Sequence, residues 1–138
     1  MANFQTALKR TEKYEGGYAD DSDDLGAETY KGISRKANPG WEGWPLVDNY
    51  KKRYKNFKTH LDKDNELQKK VESLYRDNYW TPVRGDEINS QKMAEEIFDM
   101  AVNAGVSKAV KLAQKMVGLP QSGVMTTATV ERLNRTKT

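Results

Sequence analysis

The chain has 138 residues, 23 of them Lys or Arg and 20 Asp or Glu, for a formal net charge of +3, with no cysteine and a single histidine, His60. That length suits one compact domain with a real core, since about 100–150 residues is the commonest domain size. Without Cys there is no disulfide framework, thiolate zinc site, iron–sulfur cluster or thiol nucleophile, and one His cannot build a multi-histidine metal site. Charged residues make up 31% of the chain, but both signs are present and 9% of residues are aromatic, which argues for a folded, soluble protein.

In chain order, Phe4, Ala7, Leu8, Thr11 (by its methyl) and Tyr14 recur at the spacing of an amphipathic helix over residues 3–15, and Gly16 and Gly17 stop it. Residues 17–34 are rich in Gly, Asp and Ser, with extended pieces around Tyr18 and Thr29–Ile33, and read as a small hairpin. After a turn-rich stretch, Pro45 opens a helix with a stripe of Leu46, Val47, Tyr50 and Tyr54. A third helix over 64–79 aligns Leu67, Val71, Leu74, Tyr75 and Asn78, and Pro82 halts it. Ser90 caps a fourth, through Met93, Ala94, Ile97, Phe98 and Ala101 to Gly105. A fifth packs Val106, Val110, Ala113, Met116 and Val117 and stops at Gly118-Leu119-Pro120. Thr126 caps a last helix, with Met125 and Val130 placed as a hydrophobic staple. The pattern predicts a mainly α-helical single domain with a small β-hairpin near the N-terminus.

The chemistry is concentrated in Glu15-Gly16-Gly17-Tyr18 and the acidic turn that follows. Glu15 falls where the first helix ends, beside the partial negative charge of the last carbonyls, which disfavours its ionised form and suits a general acid. Gly16 and Gly17 allow backbone conformations that a Cβ hinders and leave room for a ligand. A hairpin brings Asp24 and Thr29 back toward Glu15. Glycoside hydrolysis needs a proton donor and usually a second carboxylate, about 5–5.5 Å away in retaining enzymes and about 6.5–9.5 Å in inverting ones. An EF-hand starting at Asp20 fails, because Leu25 occupies the required glycine and Lys31 the closing glutamate. No metal or organic cofactor is expected.

Glu15-Gly16-Gly17-Tyr18, an Asp-rich turn with Asp21 and Asp24, then Gly26, Thr29 and Gly32-Ile33, resembles the signature of glycoside hydrolase family 108, lysozyme-like N-acetylmuramidases of bacteria and their prophages, some of which carry the older label of secretion activator protein. The resemblance continues through Tyr79-Trp80 and Asp99-Met100-Ala101-Val102-Asn103-Ala104-Gly105. Residues 86–138 are similar to a peptidoglycan-binding region, beside a signature region over 1–85. Gly26-Ala27 stands where the family commonly has two glycines. The resemblance implies a lysozyme-like fold, Glu15 as proton donor with Asp24 and Thr29 assisting, and the glycan strand of peptidoglycan as substrate. It also implies cleavage of the β-1,4 bond between N-acetylmuramic acid and N-acetylglucosamine. The alternative is a non-catalytic peptidoglycan-binding or secretion-associated protein with the same groove.

A sugar's apolar face packs on aromatic rings, so Tyr18, Tyr30, Trp41, Trp44 and Tyr79, with Asp21 and Asn103 as polar partners, are the expected substrate-binding residues. For Trp41, Trp44, Tyr79 and Trp80 the competing reading is ordinary core. Residues 1–30 carry three basic and seven acidic residues, and residues 31–60 eight and two, so opposite charges sit in neighbouring segments. The cluster Lys51, Lys52, Arg53, Lys55 and Lys58 reads as a solvated helix face, and no nucleic-acid motif accompanies it. His60 reads as a surface residue. The N-terminal residues lack a signal-peptide pattern, and no run of about 18 apolar residues occurs. The expectation is therefore a monomer without stable membrane insertion, made in the bacterial cytoplasm and acting at the cell wall or periplasm.

Overall fold

A computed structural model describes residues 1–15, 17–20 and 28–136, with residues 12–15 described by their backbone alone. Among these, seven α-helices dominate: α1 Phe4–Glu15, α2 Gly43–Arg53, α3 Phe57–Lys63, α4 Asn65–Tyr75, α5 Gln91–Ala104, α6 Val106–Met116 and α7 Thr127–Arg135. Three short strands, β1 Tyr18–Asp20, β2 Glu28–Tyr30 and β3 Ile33–Ser34, form one antiparallel sheet in the order β1-β2-β3. The chain divides into two compact units, residues Met1–Thr11 with Tyr75–Thr138, and residues Glu12–Leu74. The first turns of α1 pack with the C-terminal helices, through Phe4 against Phe98 and Thr11 against Asp99.

In the unit of Glu12–Leu74, the expected hairpin is a three-stranded sheet. Tyr18 pairs with Tyr30 and Ala19 with Thr29 across β1 and β2, and Tyr30 pairs with Ile33 across β2 and β3. Lys31 (φ 48°) and Gly32 (φ 82°) supply the two positive φ values of a type I′ turn, which joins β2 to β3. Beneath the sheet lie Tyr30, Ile33, Trp44, Val47, Leu61, Leu67 and Val71, all buried. The buried side of α2 is therefore Gly43, Trp44 and Val47. Of the expected stripe only Val47 is fully buried, and Tyr54, past the helix end, is 40% exposed. Its ring instead stacks on His60, centroids 3.9 Å apart. The short α3, not anticipated from the pattern, buries Leu61 alone.

In the other unit, Phe4, Trp80 and Phe98 form a triangle of rings with centroids 5.6–5.9 Å apart, and Tyr75 meets Phe98 at 6.4 Å. Asn3 caps α1 by accepting the Thr6 N–H at 3.0 Å. Thr11 is buried and uses its hydroxyl as well as its methyl, donating to Asp99 of α5. The single helix expected over 64–79 ends as α-helix at Tyr75 and continues as a π-helical turn, Arg76–Trp80. That wider turn carries Trp80 into the core while Asn78 stays exposed. Helix α5 follows the sequence reading closely: Ser90 accepts the Met93 N–H, Gly105 (φ 99°) ends the helix, and Met93, Ala94, Ile97, Phe98 and Ala101 are the buried residues. On α6 the buried residues are Ala109, Val110, Ala113 and Gln114. Met116, expected inside, is 60% exposed. Thr126 caps α7 by accepting the Thr129 N–H, and both staple residues, Met125 and Val130, are buried.

Candidate active site

Helix α1 has Glu15 as its last residue, and β1 begins three residues later at Tyr18. The Glu15 side chain, Asp21 and Asp24 lie outside the described residues. What is described is the frame around them. The Lys31 N–H donates to the Gly17 carbonyl at 3.1 Å, tying the segment after Glu15 to the end of β2. A Cβ placed on Gly17 would meet no described atom within 4 Å, and its φ is not left-handed. Gly17 is therefore not demanded by backbone strain, and no described residue crowds it.

The strand β2 alternates: Glu28 and Tyr30 are buried and Thr29 is half-buried on the opposite face. Thr29 pairs with Ala19 of β1 and with Ser34 of β3. The other face is held by a charged network centred on Glu28, which is only 8% exposed. Its carboxylate accepts from Tyr18 Oη at 2.7 Å, Arg35 Nη1 at 2.9 Å and Lys51 Nζ at 2.9 Å. Arg35 also makes a bidentate pair with Asp48 at 2.8 and 2.7 Å. Burial pushes the Glu28 carboxyl upward, but its hydrogen bonds from Tyr18, Lys51 and Arg35 outweigh this and hold it below its ordinary value. Tyr18 is pushed up to about 12, by burial first and then by its hydrogen bond to Glu28. The hydrogen bond from Arg35 holds Asp48 below the ordinary range.

Of the expected substrate-binding residues, Tyr18 is half-buried, with Phe57 edge-on at 5.0 Å and the Lys51 and Lys58 ammonium groups 5.7 and 5.8 Å from its ring. Lys51 and Lys58 are thus engaged with the site's own residues, and the basic cluster is more than a solvated face. Tyr30 and Trp44 are corrections: at 0% and 1% exposure neither ring is available to a sugar. Tyr30 Oη donates to Asp62 at 2.8 Å and accepts from Gln68 at 2.9 Å. Trp44 donates to the Asn38 carbonyl at 2.8 Å, with the Arg35 guanidinium over its ring. Trp41 is half-buried, edge-on to Trp44 at 5.1 Å, and its indole N–H donates to the Lys70 carbonyl at 3.3 Å. Tyr79 and Asn103 belong to the other compact unit: Tyr79 is half-buried beside Tyr75 at 5.8 Å, and Asn103 is exposed near the end of α5. Trp80 is core.

Glu28 was given no role by the sequence reading. Its partners Arg35, Tyr18 and Lys51 stand 7, 10 and 23 residues away, too far for any local pattern, although an acidic residue inside a strand beside Thr29 is itself a signal. Among the described residues no cluster of three His, Asp or Glu is placed to hold a metal ion, and no helix is long and apolar enough to cross a membrane.

Comparison with known proteins agrees with this frame. The family model described as Glycosyl hydrolase 108 matches residues 8–105. The solved structure of Brucella abortus SagA is similar at 30% sequence identity with a TM-score of 0.70, covering 97% of this chain and 70% of that one. No curated protein sequence matches the chain. The fold is the lysozyme-like, mainly α kind with a small sheet near the N-terminus, and with the family model spanning most of its length the chain belongs to glycosyl hydrolase family 108.

Proposed function

We propose that the protein is an N-acetylmuramidase that hydrolyses the β-1,4 bond between N-acetylmuramic acid and N-acetylglucosamine in the glycan strand of peptidoglycan. Glu15 donates the proton to the leaving oxygen. The observation that carries this reading is the position of Glu15 at the C-terminal end of α1, directly before the sheet that holds Thr29, in a chain that matches a glycosyl hydrolase family across the same segment. A helix C-terminus disfavours a negative charge, which keeps a carboxyl available as an acid. Asp24 stabilises the oxocarbenium-like transition state or serves as base, and Thr29, on the face of β2 opposite Glu28, orients the attacking water. Tyr18, Trp41 and Asp21 bind the glycan. The protein acts at the cell wall or periplasm as a monomer.

Incubation of purified peptidoglycan with the protein, followed by reduction and analysis of the released fragments, tests the bond assignment. New reducing ends on N-acetylmuramic acid support it. Reducing ends on N-acetylglucosamine would make the enzyme a glucosaminidase, and tight sedimentation with peptidoglycan without new ends would make it a binding protein.

A further inference from the structure

Glu28 is a buried carboxylate that joins three separate parts of its unit. Through Tyr18 it holds β1, through Arg35 the segment after β3, and through Lys51 the helix α2. Its own carbonyl accepts the Arg35 N–H at 2.9 Å, so backbone and side chain fix the same corner. The next residue in the strand is Thr29. Strand alternation sends Thr29 to the opposite face, where cross-strand pairing sets it against Ala19, four residues after Glu15. A displacement of β2 therefore changes the separation between the Thr29 hydroxyl and the end of α1.

From this juxtaposition we infer that Glu28 is a positioning residue for the reaction: its ion-pair network locks β2 in register so that Thr29 is held at a fixed distance from the Glu15 backbone. The inference rests on the muramidase reading above. The requirement is geometric, since displacement of a catalytic group by about 1 Å can cost on the order of a hundredfold in rate. A carboxylate with three donors is also a demanding anchor, because removing its charge leaves the Lys51 ammonium beside a neutral group and Arg35 paired with Asp48 alone.

The test uses the full chain, Glu28→Gln, and two readouts: kcat and KM on purified peptidoglycan well below the melting temperature, and amide hydrogen exchange across residues 18–20 and 28–34. We expect kcat to fall about tenfold with KM within about twofold of wild type, as for an interaction realised in the transition state, together with faster exchange confined to the sheet. Val110→Ala, in the core of the other unit, serves as the control that loses stability while keeping its kcat. Wild-type kcat in Glu28→Gln would overturn the inference even if its melting temperature drops. If Glu28→Gln does not fold, Glu28→Asp, which retains the charge one methylene short, is expected to show the same drop in kcat, and a wild-type kcat there would overturn it equally. Should the wild type release no new ends from peptidoglycan, the muramidase reading fails on its own, and unchanged exchange at Thr29 in the variant is then the result that sinks the positioning role.

Discussion

Gly43→Ala sets two opposing effects against each other. Gly43 is buried at the start of α2 beneath the indole of Trp41, and a methyl there would stand 2.4 Å from Cη2, 2.5 Å from Cζ2 and 2.7 Å from Cε2 of that ring. Carbon atoms rest about 3.5–4.0 Å apart, so the ring has to retreat by about 1 Å. Its hydrogen bond to the Lys70 carbonyl, already 3.3 Å long, breaks, and the edge-on contact with Trp44 opens. Overpacking of this kind costs about 1–3 kcal/mol. Alanine recovers at most about 1 kcal/mol through its better helix propensity. The net expectation is a loss of about 1–2 kcal/mol, or roughly 3–8 °C in melting temperature for a chain of this size. Thermal melts followed by circular dichroism measure it, and tryptophan emission should shift red as Trp41 leaves its packing. Because Trp41 is assigned to glycan binding, KM on peptidoglycan should rise severalfold with little change in kcat. A melting temperature equal to or above that of wild type, with unchanged emission, would refute the packing account of this corner.

Gly17→Ala should behave in the opposite way. Added Cβ atoms at positions free of clash and of left-handed φ are neutral or stabilising by about 0.4–1 kcal/mol, and no described residue crowds Gly17, so the melting temperature should hold or rise, while kcat/KM falls if the glycan passes beside Gly17. Full activity would place the glycan elsewhere, and a lower melting temperature would contradict the backbone reading. Acid should destabilise the protein through Glu28 and Asp48. Both are held below their ordinary values in the folded state, so their contribution is complete above the unfolded carboxylate range of about 4 and drains away as pH falls through their lower folded values. Melting temperatures measured from pH 6 to pH 2 should fall mainly below about pH 4, and Asp48→Asn should flatten that fall. An equally steep fall in Asp48→Asn would remove Asp48 from this account.

The parts of the fold that the sequence reveals are those fixed by local chemistry. Helix α5 is legible from end to end because Ser90, Gly105 and five apolar residues at helical spacing all act within one segment. The caps at Thr126 and the stop after α6 follow for the same reason. What sequence misses depends on distant partners. The short α3 buries one leucine and has no periodicity to read. Trp44 lies in a turn-rich stretch that suggests exposure, yet Asn38, Trp41 and Arg35 enclose it. Tyr30 looks like a surface aromatic in a polar strand until Asp62 and Gln68, more than thirty residues away, take its hydroxyl. At the candidate site, motif and family resemblance propose Glu15, Asp24 and Thr29, of which the structure describes Thr29 and the Glu15 backbone, whereas the network of Glu28 forms only when Lys51 and Arg35 are folded against it.

The central claim is that Glu15 donates the proton, and the most direct measurement is the rate at which Glu15→Gln releases new reducing ends from purified peptidoglycan beside wild type. Glutamine keeps the shape and removes the transferable proton, so the rate should fall by about 10²–10⁴-fold while the melting temperature and sedimentation with peptidoglycan stay close to wild type. A Glu15→Gln rate within a few-fold of wild type would contradict the account and move the acid to another carboxyl.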